Sequence, residues 1–168
     1  MDGDGNRASD PTETTTPPGV VSELLLAGVD LGDLLERLVR RHADLSLAQF
    51  NAMRVVKGRE PAAAQASDLT RVLRMSSAHA TTVLQQLEGR GLIEREESAT
   101  DRRRRPVTLT TEGRALLSAA TPALAHLESR VAELLGDDQL SALWGGLRSV
   151  RLSVREALAT DDLDCVGP

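Results

Sequence analysis

Four arginines stand in succession at Arg102 to Arg105, directly after Asp101. Guanidinium groups that close together are stabilised by anions around them, and a phosphate backbone supplies a row of anions. Such side chains also suit a narrow minor groove, where the potential is most negative. Asp101 is placed to pair with a neighbouring arginine and shape the loop. Upstream, the run from Ser76 to Gly89 brings a second set of groups that can meet a nucleic acid. At helical spacing Ala78, Thr82, Gln85 and Gln86 share one face, with His79 and Thr81 on its flanks and no acid among them. Hydroxyls read several base edges, glutamine pairs with adenine, and alanine or threonine methyls touch the methyl of thymine. The bland reading of a charge run is a solvated face, and that of a polar helix an ordinary surface. Their adjacency is what points to a nucleic acid.

Other chemistries find less support. The histidines are His42, His79 and His126, and no Ser, Asp or Cys stands near them in a catalytic arrangement. No glycine-rich phosphate loop is present. The single cysteine, Cys165, has no disulfide partner, and no Cys/His cluster has metal-ligand spacing. No catalytic residue, metal or cofactor is expected.

The elements that would hold these residues can be read from periodicity and punctuation. Residues 1–19 are rich in Gly, Thr, Asp and Pro and are expected to form a disordered tail. From about Val20 a helix places Leu24, Leu31, Leu35 and Leu38 on one face. Ser46 and Gln49 form a capping box that opens a second helix, with Phe50, Met53 and Val56 inward, and Gly58 and Pro61 end it. A short third helix runs from about Gln65 to Leu73, and Arg74-Met75-Ser76 turns the corner. Ser76 or Ser77 caps the fourth helix, whose buried stripe is Ala80, Val83, Leu84 and Leu87. Arg74 occupies the turn position where glycine is common, so the turn must tolerate a side chain. Leu92 to Arg95 and Pro106 to Thr110 read as two strands around the arginine loop. A long helix begins near Thr111, Pro122 is expected to kink or interrupt it, and Gly136 ends it. In it Leu117, Ala120, Leu124, Leu127, Val131 and Leu134 alternate at three and four, and Leu140, Leu143, Leu147, Val150 and Val154 repeat the pattern in a last helix. Those seams pack either on each other or on a second subunit. Residues 160–168 form an acidic, flexible tail.

Charge is unevenly divided. The formal net charge is −5, yet residues 51–114 hold twelve basic and eight acidic groups, a local net of +4 between two acidic flanks. Local charge decides where a polyanion docks. The aromatics are only Phe50 and Trp144, so the core must be Leu, Val and Ala, which suits helices. No apolar run has the length needed to span a bilayer and no signal-peptide core is seen, so a soluble, cytoplasmic protein without membrane contact is expected.

Taken together, Leu45 to Phe50, Ser67-Asp68-Leu69, Leu87 to Ile93, Asp101-Arg102-Arg103, and Val107 to Thr110 followed by Gly113 carry a resemblance. Over about residues 20–159 the sequence resembles the multiple-antibiotic-resistance regulator (MarR) family of bacterial winged-helix transcription factors. The resemblance implies a mainly α fold: a winged helix-turn-helix with a two-stranded β-wing over residues 46–110, and helices at 20–45 and 111–159 forming a dimerisation region. It implies a homodimer on double-stranded DNA with a pseudo-palindromic operator. By position, Ser77, Ala78, His79, Thr81, Thr82 and Gln86 face bases or nearby phosphates, Arg103 enters the minor groove among Arg102 to Arg105, and Asp101 is its partner. It further implies a small aromatic or lipophilic effector that releases a repressor, with a pocket in the region of His42, Phe50, Met53 and Arg54. Thr82 and Gln85-Gln86 depart from the arginine-richer pattern of many relatives, so affinity should rest more on the wing than on the helix. The competing reading is a winged-helix module that binds protein without specific DNA binding, for which acidic flanks would also be suitable.

Overall fold

The structure is a computed structural model that describes residues 19–96 and 105–160. Residues 1–18 and 161–168 of the expected tails, and Asp101 with Arg102, Arg103 and Arg104, lie outside the described residues; Gly19 caps the first helix and Thr160, expected in the tail, still belongs to the last. The element order is α1 (Val20–Ala43), α2 (Leu47–Lys57), α3 (Ala66–Leu73), α4 (Ser77–Gly89), β1 (Ile93–Arg95), β2 (Val107–Leu109) and α5 (Thr111–Thr160). Among the described residues the fold is mainly helical with one two-stranded antiparallel sheet, a winged helix-turn-helix. Among the described residues, no helix is long and apolar enough to cross a membrane.

Local signals explain most boundaries. Ser46 Oγ accepts from the Gln49 N–H at 3.2 Å, and Gln49 Oε1 accepts from the Ser46 N–H at 3.0 Å, closing the capping box on α2. Helix α3 starts one residue later than its sequence suggests, because Gln65 is its N-cap and Asp68 closes a second box. Thr110 caps α5: its Oγ1 accepts from the Gly113 N–H at 2.9 Å and donates to the Gly91 carbonyl at 2.8 Å. At Gly113 the chain passes so close to Leu92, the residue before β1, that an added Cβ would lie 2.0 Å from the Leu92 carbonyl oxygen.

The core is a single aliphatic cluster around Leu45, Met53, Leu69, Leu84, Leu87 and Ile93, with Phe50 as its aromatic member. Phe50, Met53 and Val56 are all buried, as their spacing predicts. The sheet pairs Ile93 with Leu109 and Arg95 with Val107, and Ala64 adds a backbone bridge to Val107. That third strand position was not legible, since Pro61 to Gln65 carries no strand pattern.

The leucine face of α1 is only partly covered: Leu24, Leu35 and Leu38 are half-buried, Leu31 is 47% exposed, and only Val39 and Ala43 of the helix are buried. Only the last turns of α1 reach the core. Pro122 does not interrupt α5, whose backbone leaves helical values only at Gly136, with φ 71 and ψ 168. Proline removes one N–H, but Pro122 and Ser118 are both exposed, so the carbonyl that loses its partner can be hydrated. Gly136 breaks the helix because a positive φ is open to glycine. The outer stretches stay uncovered: Leu134 is 82% exposed and Trp144 68%.

Candidate nucleic-acid interface

The interface is built on α3, the turn after it, and α4. Asp68 anchors the start. Its Oδ2 accepts from the Gln65 N–H at 2.9 Å, and its Oδ1 pairs with Arg71 at 2.9 Å and with Arg59 from the end of the α2 region. Burial pushes the Asp68 carboxyl up, but the Gln65 N–H and the Arg71 and Arg59 guanidiniums outweigh it and hold the group below the usual carboxylate range. Helix α3 is thereby pinned to the chain at the end of α2.

Arg74 then takes a left-handed conformation, φ 56 and ψ 29, which turns the chain sharply into α4. An L side chain pays for that geometry, and the side chain itself remains exposed. Ser76 caps α4, its Oγ accepting from the His79 N–H at 3.2 Å. Ala80, Val83, Leu84 and Leu87 are buried, so the opposite face is fixed outward. Ser77, Ala78, His79, Thr81, Thr82 and Gln86 are all exposed on it, together with Gln85. No acid lies in the first turn. An anion approaching that end meets a helix N-terminus without carboxylates in that turn.

The polar groups of this face are already oriented. Thr81 Oγ1 donates to the Ser77 carbonyl at 2.9 Å and Thr82 Oγ1 to the Ala78 carbonyl at 3.1 Å. Gln86 Oε1 accepts from Gln49 Nε2 of α2 at 3.1 Å. No sequence pattern joins Gln49 to this site. It reads as a capping residue, and only the packing of α2 beside α4 brings the two amides together.

The sheet follows directly. Leu92 N donates to the Leu87 carbonyl at 3.0 Å, which carries the chain from α4 into β1. Arg95 reaches back to Glu88 at 3.6 Å, joining the end of α4 to the wing strand, and its Nε is buried. Arg90 ties the same corner to α1 by donating to the Asp44 carbonyl at 2.7 Å. Of the four wing arginines only Arg105 is among the described residues, exposed just before β2.

The residues expected around an effector are placed differently from one another. Phe50 and Met53 are fully buried in the core. His42 is exposed in the last turn of α1. Arg54 lies over the Phe50 ring, 5.9 Å from its centroid, and lines an open cleft of about 560 Å³ with Asn51, Val55, Arg59 and Arg71.

Comparison with known proteins agrees with this geometry. A family model described as MarR family matches residues 43–104. The transcriptional regulator HosA of Escherichia coli O157:H7 is 38% identical over 79 residues, which is 47% of this chain and 57% of HosA. The chain thus spans little more than half the length of the curated relatives it matches. Among solved structures, the Staphylococcus aureus MepR–DNA complex superposes with a TM-score of 0.73 at 19% identity, covering 80% of this chain and 97% of that one. A mutant of E. coli MarR gives a TM-score of 0.64 at 24% identity over 80% and 96% of the two chains. The transcriptional repressor CouR, bound to a 23-mer DNA duplex, gives 0.63 at 29% identity over 81% and 98%. The chain thus shares the winged-helix fold of these structures, and over residues 43–104 it is similar to the MarR family.

Proposed function

We propose that the chain is a sequence-specific DNA-binding transcriptional regulator that works as a homodimer. The observation that carries this reading is the exposed face of α4, without an acid from Ser77 to Gln86 and held between a capped N-terminus and the wing. In this reading Ser77, Ala78, His79, Thr81, Thr82 and Gln86 enter a major groove. Arg102 to Arg105 reach the adjacent minor groove or its phosphates, with Asp101 shaping the loop. The DNA-bound MepR and CouR structures support it by likeness.

The second subunit is supported by what one chain leaves uncovered. Val21, Leu25, Leu26 and Val29 of α1, and Leu143, Trp144 and Leu147 of α5, are all exposed. Monomeric soluble proteins rarely show so much contiguous apolar surface. A twofold pair would set two α4 helices about one helical turn apart, on half-sites roughly 10 bp from centre to centre. The regulator is a repressor in this reading, released by a small aromatic or lipophilic effector in the region of His42, Phe50, Met53 and Arg54. Because Phe50 and Met53 are core residues, a ligand entering there displaces them and strains α2, which packs on α4.

A gel-shift with duplex DNA from upstream of its own gene tests the reading. A specific fragment should compete at moderate salt where random DNA does not. If nothing competes specifically, the assignment fails.

A further inference from the structure

Gln86 stands on the outward face of α4 with one end of its amide already engaged. The engaged end is decided by a chain of hydrogen bonds that starts on another helix. The Ser46 backbone N–H donates to Gln49 Oε1 at 3.0 Å, and a backbone N–H can only donate. That contact turns the Gln49 oxygen toward Ser46 and its NH2 away. The NH2 donates to Gln86 Oε1 at 3.1 Å. The Gln86 oxygen therefore faces α2, and its own NH2 is the end that faces outward. The two ends of an amide are alike in shape, and here the backbone donor breaks the tie. The threonines beside it are polarised in the opposite sense. Their hydroxyl protons are given to Ser77 and Ala78, so Thr81 and Thr82 offer lone pairs and methyls outward.

We propose that the α2 capping box is a polarity relay: it makes Gln86 a hydrogen-bond donor toward DNA, with Gln49 as the positioning residue. The proposal rests on the DNA-reading role given above. The DNA groups that suit an outward NH2 are acceptors, namely guanine O6 and N7, adenine N7, or a phosphate oxygen. The two-bond pairing of glutamine with adenine also needs the amide oxygen, to accept from adenine N6. That oxygen is turned to Gln49. Guanine, with two acceptors on its major-groove edge, is then the better match, which reverses the preference expected from residue type alone.

Gln49→Glu separates the alternatives. Glutamate at the third helical position still accepts from the Ser46 N–H, so the capping box survives. Its carboxylate has no donor, so Gln86 must turn its NH2 inward and its oxygen toward DNA. Full-length wild type, Q49E, Q86A and the double variant are titrated against duplexes selected by the wild type from a random library. Q49E should weaken binding about fivefold more in the wild-type background than in the Q86A background, since the added charge acts in both and cancels. A loss on Q86A that differs among base-pair variants assigns the acceptor to a base edge, and a uniform loss assigns it to phosphate; both support the relay. Equal factors for Q49E in the two backgrounds overturn it. A thermal midpoint confirms that Q49E is folded, and if it is not, Gln49→Met removes the donor without adding charge and enters the same cycle. A wild-type chain that selects no sequence defeats the DNA-reading assignment itself, which is a separate failure.

Discussion

Three residues hold the reader in shape, and each does so through a different physical effect. Gly113 acts through space. With the Leu92 carbonyl oxygen 2.0 Å from where a Cβ would stand, Gly113→Ala must push α5 away from Leu92. A loss of about 3 kcal/mol is expected in urea unfolding, at the upper end for overpacked sites. Arg74 acts through its backbone. Its φ of 56 is costly for any residue but glycine, so Arg74→Gly should raise stability by about 1 kcal/mol or slightly less once the unfolded chain's extra freedom is counted. Asp68 acts through charge. Its carboxyl is held low in the folded protein, so its contribution is complete at neutral pH. It declines as pH falls through the ordinary carboxylate range and is gone below the lowered folded value. Asp68→Asn should therefore flatten the acid limb of the stability curve and, with the cap weakened, cost about 1 kcal/mol at pH 7. A wild-type and variant pair with parallel acid limbs would count against the charge argument. The glycine and the turn position were legible as sequence motifs. The Asp68 pairing with Arg59 was not, because it joins a loop to a helix that only the fold brings together.

Elements were readable where the chain carries its own punctuation. Ser46 with Gln49, Ser76 before α4 and Gly136 within α5 all mark boundaries by local hydrogen bonding or backbone freedom, and local effects survive folding. The buried stripe of α4 was legible for the same reason, since Ala80, Val83, Leu84 and Leu87 keep one helical period. Reading failed where an element depends on its surroundings. Pro122 is tolerated because its side of α5 faces water, and the bridge at Ala64 exists because Val107 offers it an edge. The cap of α4 gives the prediction at this scale. Ser76→Ala removes the acceptor for the His79 N–H and should lower stability by about 1 kcal/mol. The loss is next to the reading face, so affinity for a selected duplex should fall as well. Far-UV circular dichroism and a duplex titration on the same sample check both parts, and unchanged affinity would mean the first turn of α4 does not meet DNA.

The molecule as a whole divides its surface by charge and by polarity. The basic middle third carries the reader, while the flanks are acidic and hold most of the exposed leucine and valine. This arrangement limits a polyanion to one side and leaves the apolar stripes of α1 and α5 to another partner. The heptad-like seams announced the α5 stripe in the sequence but left open whether they meet each other or a second chain. Within one chain they do not fully meet, with Leu134 82% exposed, and on α1 Val21 stays 71% exposed and Leu25 67%. If a second copy covers them, a charge there should separate the copies and leave each reader intact. Leu25→Glu adds no charge to the core, because Leu25 lies outside it, so the fold should persist. Sedimentation should then move from twice 18.0 kDa toward 18.0 kDa. DNA binding should weaken by far more than the statistical factor of two, because one half-site alone forfeits the gain in effective concentration that joins the two contacts. The salt dependence should also become shallower, as fewer phosphates are neutralised per binding event. A variant that sediments as a monomer and still binds the full operator as tightly as the wild type would show that the reader works alone, and the exposed stripes of α1 and α5 would then belong to a different partner.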